Sequence, residues 1–171
     1  MFTRRHAVLG LTAASLAACG QGRPNAADAP PPGSLGWAIG GDWRIDPERD
    51  QYRHPLQTLL FWGLEGQMTV LEVLPGLGWY TSILAPYLHA NGGRLIAAQF
   101  DPASPSLAQR ETLAAWEARF GRNRELYGEI TRTAVTRRGA ALAPANSVDL
   151  AIIANSIHTL MAEGIAERVF A

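Results

Sequence analysis

Residues 69–74 read Thr-Val-Leu-Glu-Val-Leu and run straight into Pro75-Gly76-Leu77-Gly78. A short apolar run, β-branched at its start and stopped by Pro-Gly, fits a strand covered on both faces, as strands of parallel sheets are. Parallel neighbours cannot be joined by tight hairpins, so a chain built around such a strand must alternate strands with crossover helices. Glu72, the one acid inside the run, needs a partner: either donors of the following loop or a ligand.

The flanking segments supply the alternation. His54-Pro55 opens an amphipathic stretch with Leu56, Leu59, Leu60 and Leu64 at helical spacing, ended by Gly63 to Gly66. Trp79 to His89 sets Ile83, Leu84, Tyr87 and Leu88 on one helical face, with Pro86 expected to kink it and Asn91-Gly92-Gly93 to stop it. Arg94 to Phe100 is a second strand closed by Asp101-Pro102, and Ser106 caps a helix to Phe120 that stacks Leu113, Trp116 and Phe120. Glu129 to Thr136 reads as a third strand. Val148 to Ala154 reads as a fourth, apolar enough to expect a central position, and Ala162 to Ala171 starts another helix. The predicted class is α/β: an open parallel sheet with helices on both faces, about four strands of it present.

What is missing narrows the chemistry. All 15 basic residues are Arg, so Schiff-base lysines, phosphate-loop lysines and lysine bases are excluded. The single cysteine, Cys19, allows neither a disulfide framework nor a cysteine zinc site, and His6, His54, His89 and His158 lack metal-ligand spacing; no metal site is expected. A formal net charge of zero argues against a nucleic-acid footprint.

The first 36 residues read as an address and a tether. Thr3-Arg4-Arg5-His6 precedes the apolar run Ala7 to Ala18, too short at about 12 residues for the roughly 20 a spanning helix needs. Leu16-Ala17-Ala18-Cys19 resembles a bacterial lipobox, which implies cleavage before Cys19, lipidation of its thiol and a membrane anchor on the periplasmic side of the cell envelope. The adjacent arginines resemble a weak twin-arginine export signal, and an ordinary signal peptide with an incidental Cys19 is the alternative. Residues 20–36, rich in Pro, Ala and Gly, are expected to be a flexible linker, with the folded domain spanning 37–171.

The turn after the first strand carries the functional signal. Open α/β sheets bind nucleotides beyond the carboxyl ends of their strands, and Gly76 and Gly78 would let backbone approach a ligand there. Asp101, at the end of the next strand, could accept both ribose hydroxyls of an adenosine, or merely cap the Asp-Pro turn.

The string Glu72-Val73-Leu74-Pro75-Gly76-Leu77-Gly78-Trp79-Tyr80-Thr81, with Ile83 to Leu88 and Phe100-Asp101-Pro102, resembles a bacterial family of exported class I S-adenosylmethionine (SAM) dependent methyltransferases. Arg49-Asp50, Arg53-His54-Pro55, Phe61-Trp62-Gly63-Leu64, Asn155 and Ile157-His158 match its pattern too, so the likeness covers about Asp46 onward. The resemblance implies a Rossmann-like fold, SAM as methyl donor and a small-molecule acceptor. It implies cofactor contacts at Glu72, Pro75, Gly76, Gly78, Tyr80, Thr81 and Asp101, and an acceptor side at Asn155 and His158, with His158 as a candidate base. The chain departs from the pattern at Leu74, where the general loop has glycine, at Ser82, where the family has an acid, and at Gly139-Ala140, where an adenine-side acid is usual.

The residues leave other readings open. Trp79 is read first as a packing residue and His158 as a helix-terminal or loop histidine, ahead of any ligand or catalytic role. An NAD-binding oxidoreductase shares the fold position but wants a third glycine where Thr81 stands. A non-catalytic exported lipoprotein with a vestigial domain fits a compartment that lacks SAM. By comparison with complete domains of this class roughly 80 to 100 residues are expected beyond residue 171, which predicts an aggregation-prone chain.

Overall fold

The computed structural model describes residues 29–139 and 141–170. The expected signal segment, Cys19 and most of the linker lie outside the described residues. Folded structure starts two residues before the expected boundary: α1 (Leu35–Gly40) is capped by Ser34, whose hydroxyl accepts from Trp37 N, and Leu35 is buried.

Four strands, β1 (Thr69–Val73), β2 (Arg94–Phe100), β3 (Thr131–Val135) and β4 (Leu150–Ile152), form one sheet in the order β3-β2-β1-β4. Every pairing is parallel, with Glu72 opposite Ala97 on one side and Ile152 on the other. This is an α/β, Rossmann-like open parallel sheet with the four strands expected. The period-2 alternation of a strand divides it into two apolar layers. Val70, Leu95, Ala97 and Ile152 join one buried cluster, while Leu71, Val73, Ile96, Ala98 and Val135 join the other.

The first layer is covered by α1, α3 (Pro55–Phe61), α4 (Thr81–Ala90), α5 (Leu107–Phe120) and α6 (Arg124–Tyr127). α2 (Asp50–Arg53), preceded by a 3-10 turn at Pro47–Arg49, leads into α3. The second layer is covered by α7 (Ile157–Ala162) and α8 (Ala166–Phe170), through Leu160 of α7, Ile165 between the two helices and Val169 of α8. Trp116, Phe120 and Tyr127 form an aromatic run in the first layer, with centroid separations of 5.2 and 4.9 Å.

Three expectations are corrected. β4 is at a sheet edge rather than in the centre, because its outer side has no strand partner among the described residues and only three residues pair with β1. α3 buries Pro55 and Leu59 but leaves Leu56 and Leu60 exposed, since the layer beneath it is reached by one side of a two-turn helix only. The helix expected over Ala162 to Ala171 is instead split into α7 and α8 at Gly164, whose φ of +67° no helix continues through.

Candidate functional site

In the order 3-2-1-4, β2 lies on one side of β1 and β4 on the other, so the crevice where ligands bind in such sheets opens beyond the carboxyl ends of β1 and β4. The chain leaves β1 through a strained turn: Leu74 has φ +48°, Gly76 +61° and Gly78 +94°. A leucine in that region costs about 1 kcal/mol, and Leu74 holds it because its N–H still donates to the Ala98 carbonyl at 2.8 Å while its side chain is buried in the second layer.

The two turn glycines do different things. A Cβ on Gly76 would meet no atom within 4 Å, so its bare face opens toward space beyond the turn. A Cβ on Gly78 would lie 2.3 Å from the Phe120 ring. Gly78 therefore permits helix packing and, contrary to expectation, does not front a ligand space.

Glu72 is 4% exposed. The Thr81 hydroxyl donates to its Oε2 at 2.6 Å, and Trp116 Nε1 donates in turn to that hydroxyl at 3.1 Å. Burial pushes its pKa up from 4.5 to about 7, against the opposing effect of the Thr81 hydroxyl and backbone hydrogen bonds. Thr81 is fully buried and lines neither cavity described below, so it supports Glu72 instead of touching a ligand. Ser82, also buried, spends its hydroxyl on the Trp79 carbonyl at 2.8 Å.

Two hollows flank the turn. The smaller, of about 250 Å³, lies at the β1–β4 crevice and is lined by Glu72, Leu74 to Gly76, Trp79, Tyr80, Asn155 and Ser156, with Arg49 and Arg53 at its side. The larger, of about 610 Å³, lies beyond β2 and β3 and includes Asp101, Ser104, Gln109, Arg137 and Glu163. Leu74, Phe100 and Thr159 line both, so they meet along one ridge. Asp101 Oδ1 accepts from Ala103 N at 2.8 Å, which realises the turn cap while the residue still lines the larger hollow. Gln109 and Arg137 both donate to Glu163, at 3.0 and 2.6 Å, closing one side of that hollow; these hydrogen bonds, Arg137's first, hold the Glu163 carboxyl below its ordinary range.

Of the residues expected to hold a cofactor, Glu72, Pro75, Gly76, Tyr80 and Asp101 line these hollows, and Gly78 and Thr81 do not. Asn155 lines the smaller hollow in a left-handed conformation, φ +57°. His158 is exposed and lines neither, so the structure separates it from the site. Tyr80 packs edge-on against Trp79, with centroids 4.6 Å apart, and burial holds its phenol above the ordinary value, ahead of the opposing charge of Arg53.

Sequence reasoning did not place Arg49 and Arg53 in the site. Their spacing of four residues puts them on one side of a helical turn, but nothing in the spacing says what that side faces. Thr159, Ser104 and Gln109 likewise come into the site only because α5 and α7 start beside the same strand termini.

No family model, curated protein or solved structure matches the chain. Among the described residues no helix is long and apolar enough to cross a membrane, and no group of three His, Cys, Asp or Glu is placed to hold a metal.

Proposed function

We propose that the chain binds S-adenosylmethionine across the carboxyl ends of β1, β2 and β4, and that it serves methyl transfer to a small acceptor. The observation that carries this reading is the pair of hollows that meet along Leu74, Phe100 and Thr159, each with its own carboxylate residue, Asp101 in the larger and Glu72 in the smaller. An elongated ligand with a nucleoside at one end and a positively charged group at the other suits that layout.

The residues fit the cofactor on structural grounds. Gly76 leaves open a face that a side chain would fill. Asp101 spends one oxygen on Ala103 and would offer the other to a ribose hydroxyl. Glu72 would supply countercharge near a sulfonium, and a cation beside it would favour its ionised form. When bound, the cofactor supplies an activated methyl group on sulfur.

The protein's part in such a displacement is to hold donor and nucleophile in line and keep water out. Trp79 and Tyr80, both buried, wall the smaller hollow. With His158 outside the site, Glu72 is the group lining this hollow whose pKa is moved to near neutrality, and it would take the proton if the acceptor must lose one.

Isothermal titration with S-adenosylhomocysteine, the product form of the cofactor, tests the reading directly. Binding is expected in wild type and a loss of at least tenfold in Asp101→Ala. NAD binding with no S-adenosylhomocysteine binding would replace the proposal with a dinucleotide enzyme, and the absence of both would favour a non-catalytic domain. The lipid anchor at Cys19 and export to the cell envelope are part of the same proposal, and mass spectrometry of the mature N-terminus from a bacterial host checks them.

A further inference from the structure

Arg44, Arg49 and Arg53 surround a single ring, with guanidinium carbons 5.3, 5.7 and 5.3 Å from the Trp79 centroid. Three like charges around one indole repel one another, so the way each is compensated matters. Arg44 is 6% exposed and pairs with both carboxylate oxygens of Asp50, at 2.7 and 3.2 Å. It is structural. Arg49 has Asp46 at 4.0 Å, a long and exposed pair worth little in water.

Arg53 has no carboxylate within salt-bridge distance among the described residues. Its polar contact is Asn155, whose carboxamide, turned oxygen-first, accepts from both terminal guanidinium nitrogens. The Asn155 backbone is left-handed, with φ +57°. A neutral amide orients a guanidinium without cancelling its charge, and Arg53 and Arg49 both line the smaller hollow. The only acid in that lining is Glu72, which is buried and accepts from the Thr81 hydroxyl.

We propose that Arg49 and Arg53, set against the Trp79 ring, form a carboxylate-binding subsite at the side of the smaller hollow. A planar guanidinium fork matches a carboxylate in two parallel hydrogen bonds, and an aromatic face beneath it fixes the plane in which the fork lies. The inference deepens the proposed function, because the carboxylate has two possible sources there: the amino-acid arm of the cofactor, or an acidic acceptor.

The test compares wild type, Arg53→Gln and Arg49→Gln, with circular dichroism melts to confirm that each variant folds. Arg49→Gln alters an exposed side chain and keeps the inference testable should Arg53→Gln fail to fold. The probes are S-adenosylhomocysteine, which carries the carboxylate, 5′-methylthioadenosine, which lacks the amino-acid arm, and benzoate alone. A loss of tenfold or more for S-adenosylhomocysteine with methylthioadenosine unchanged assigns the subsite to the cofactor's arm. Unchanged nucleoside binding with loss of benzoate binding assigns it to the acceptor. Benzoate binding that needs the arginines, in a protein that takes neither nucleoside, supports the subsite while removing the methyltransferase reading. Equal binding of all three probes to wild type and both variants, or no binding of S-adenosylhomocysteine or benzoate to wild type, overturns the subsite.

Discussion

At the scale of single residues, Glu72 shows how a sheet can hold an acid at its centre. Its carboxyl group is pushed from 4.5 to about 7, so between those values the folded protein keeps a proton that the unfolded chain has released. Stability therefore falls as pH rises from about 4.5 to about 7 and levels off above that. The shift corresponds to roughly 3 kcal/mol. Glu72→Gln retains an acceptor for the Thr81 hydroxyl and removes the titration. Urea unfolding at pH 5 and pH 8 should show wild type losing stability relative to the variant by an amount of that order. Equal pH dependence in the two proteins would mean that Glu72 reaches water. The sequence marked Glu72 as an acid in need of a partner, and it marked Thr81 as a ligand contact. The structure instead shows the Thr81 hydroxyl bonded to Glu72, and spacing cannot distinguish a hydroxyl that meets a ligand from one that solvates a buried neighbour.

At the scale of elements, the turn between β1 and α4 divides its glycines by what stands behind them. Gly78 sits against the Phe120 ring that α5 delivers, and Gly76 faces open space, though both have positive φ. Gly76→Ala should cost about 1 to 2 kcal/mol for its backbone alone. Gly78→Ala adds overpacking to that strain and should cost about 1 to 3 kcal/mol more. Thermal unfolding of the two variants checks the difference, and matching melting temperatures would show that Phe120 yields freely. Ligand affinity should follow the opposite order, with Gly76→Ala the more damaging per unit of stability lost. α4 itself is buried at every position from Thr81 to Pro86 and at Leu88, because α1, α6 and the sheet enclose it. Its sequence promised one apolar face at Ile83, Leu84, Tyr87 and Leu88. The enclosing partners come from distant segments, and they decided that Ser82 is interior too.

At the scale of the whole molecule, the two edges that the sheet has among the described residues differ in protection. β3 carries Thr131 and Arg132 exposed, and Arg132 pairs with Glu117 of α5. β4 carries exposed Ala151 and no charge along its three residues. Charged side chains blunt an edge against pairing with other chains, and an alanine does not. Concentration-dependent self-association is therefore expected, and Ala151→Lys should reduce it without lowering stability by more than about 0.5 kcal/mol. Light scattering across a concentration series measures both forms. Identical masses at all concentrations would show that the β4 edge is harmless.

The sequence alone determined the parallel α/β class, four strands to within a few residues of each boundary, and the Pro-Gly turn that follows β1. Those features are local: apolar runs, Pro-Gly stops, a Ser106 cap and an acid out of place in a strand. Tertiary structure decided the rest, because each remaining question asks what a side chain faces. It placed β4 at the edge, left His158 exposed and outside both hollows, backed Gly78 with Phe120 and brought Arg49 and Arg53 beside Trp79. Periodicity assigns a residue to a side of its own element, and only the packing of elements far apart in the chain determines what lies on that side.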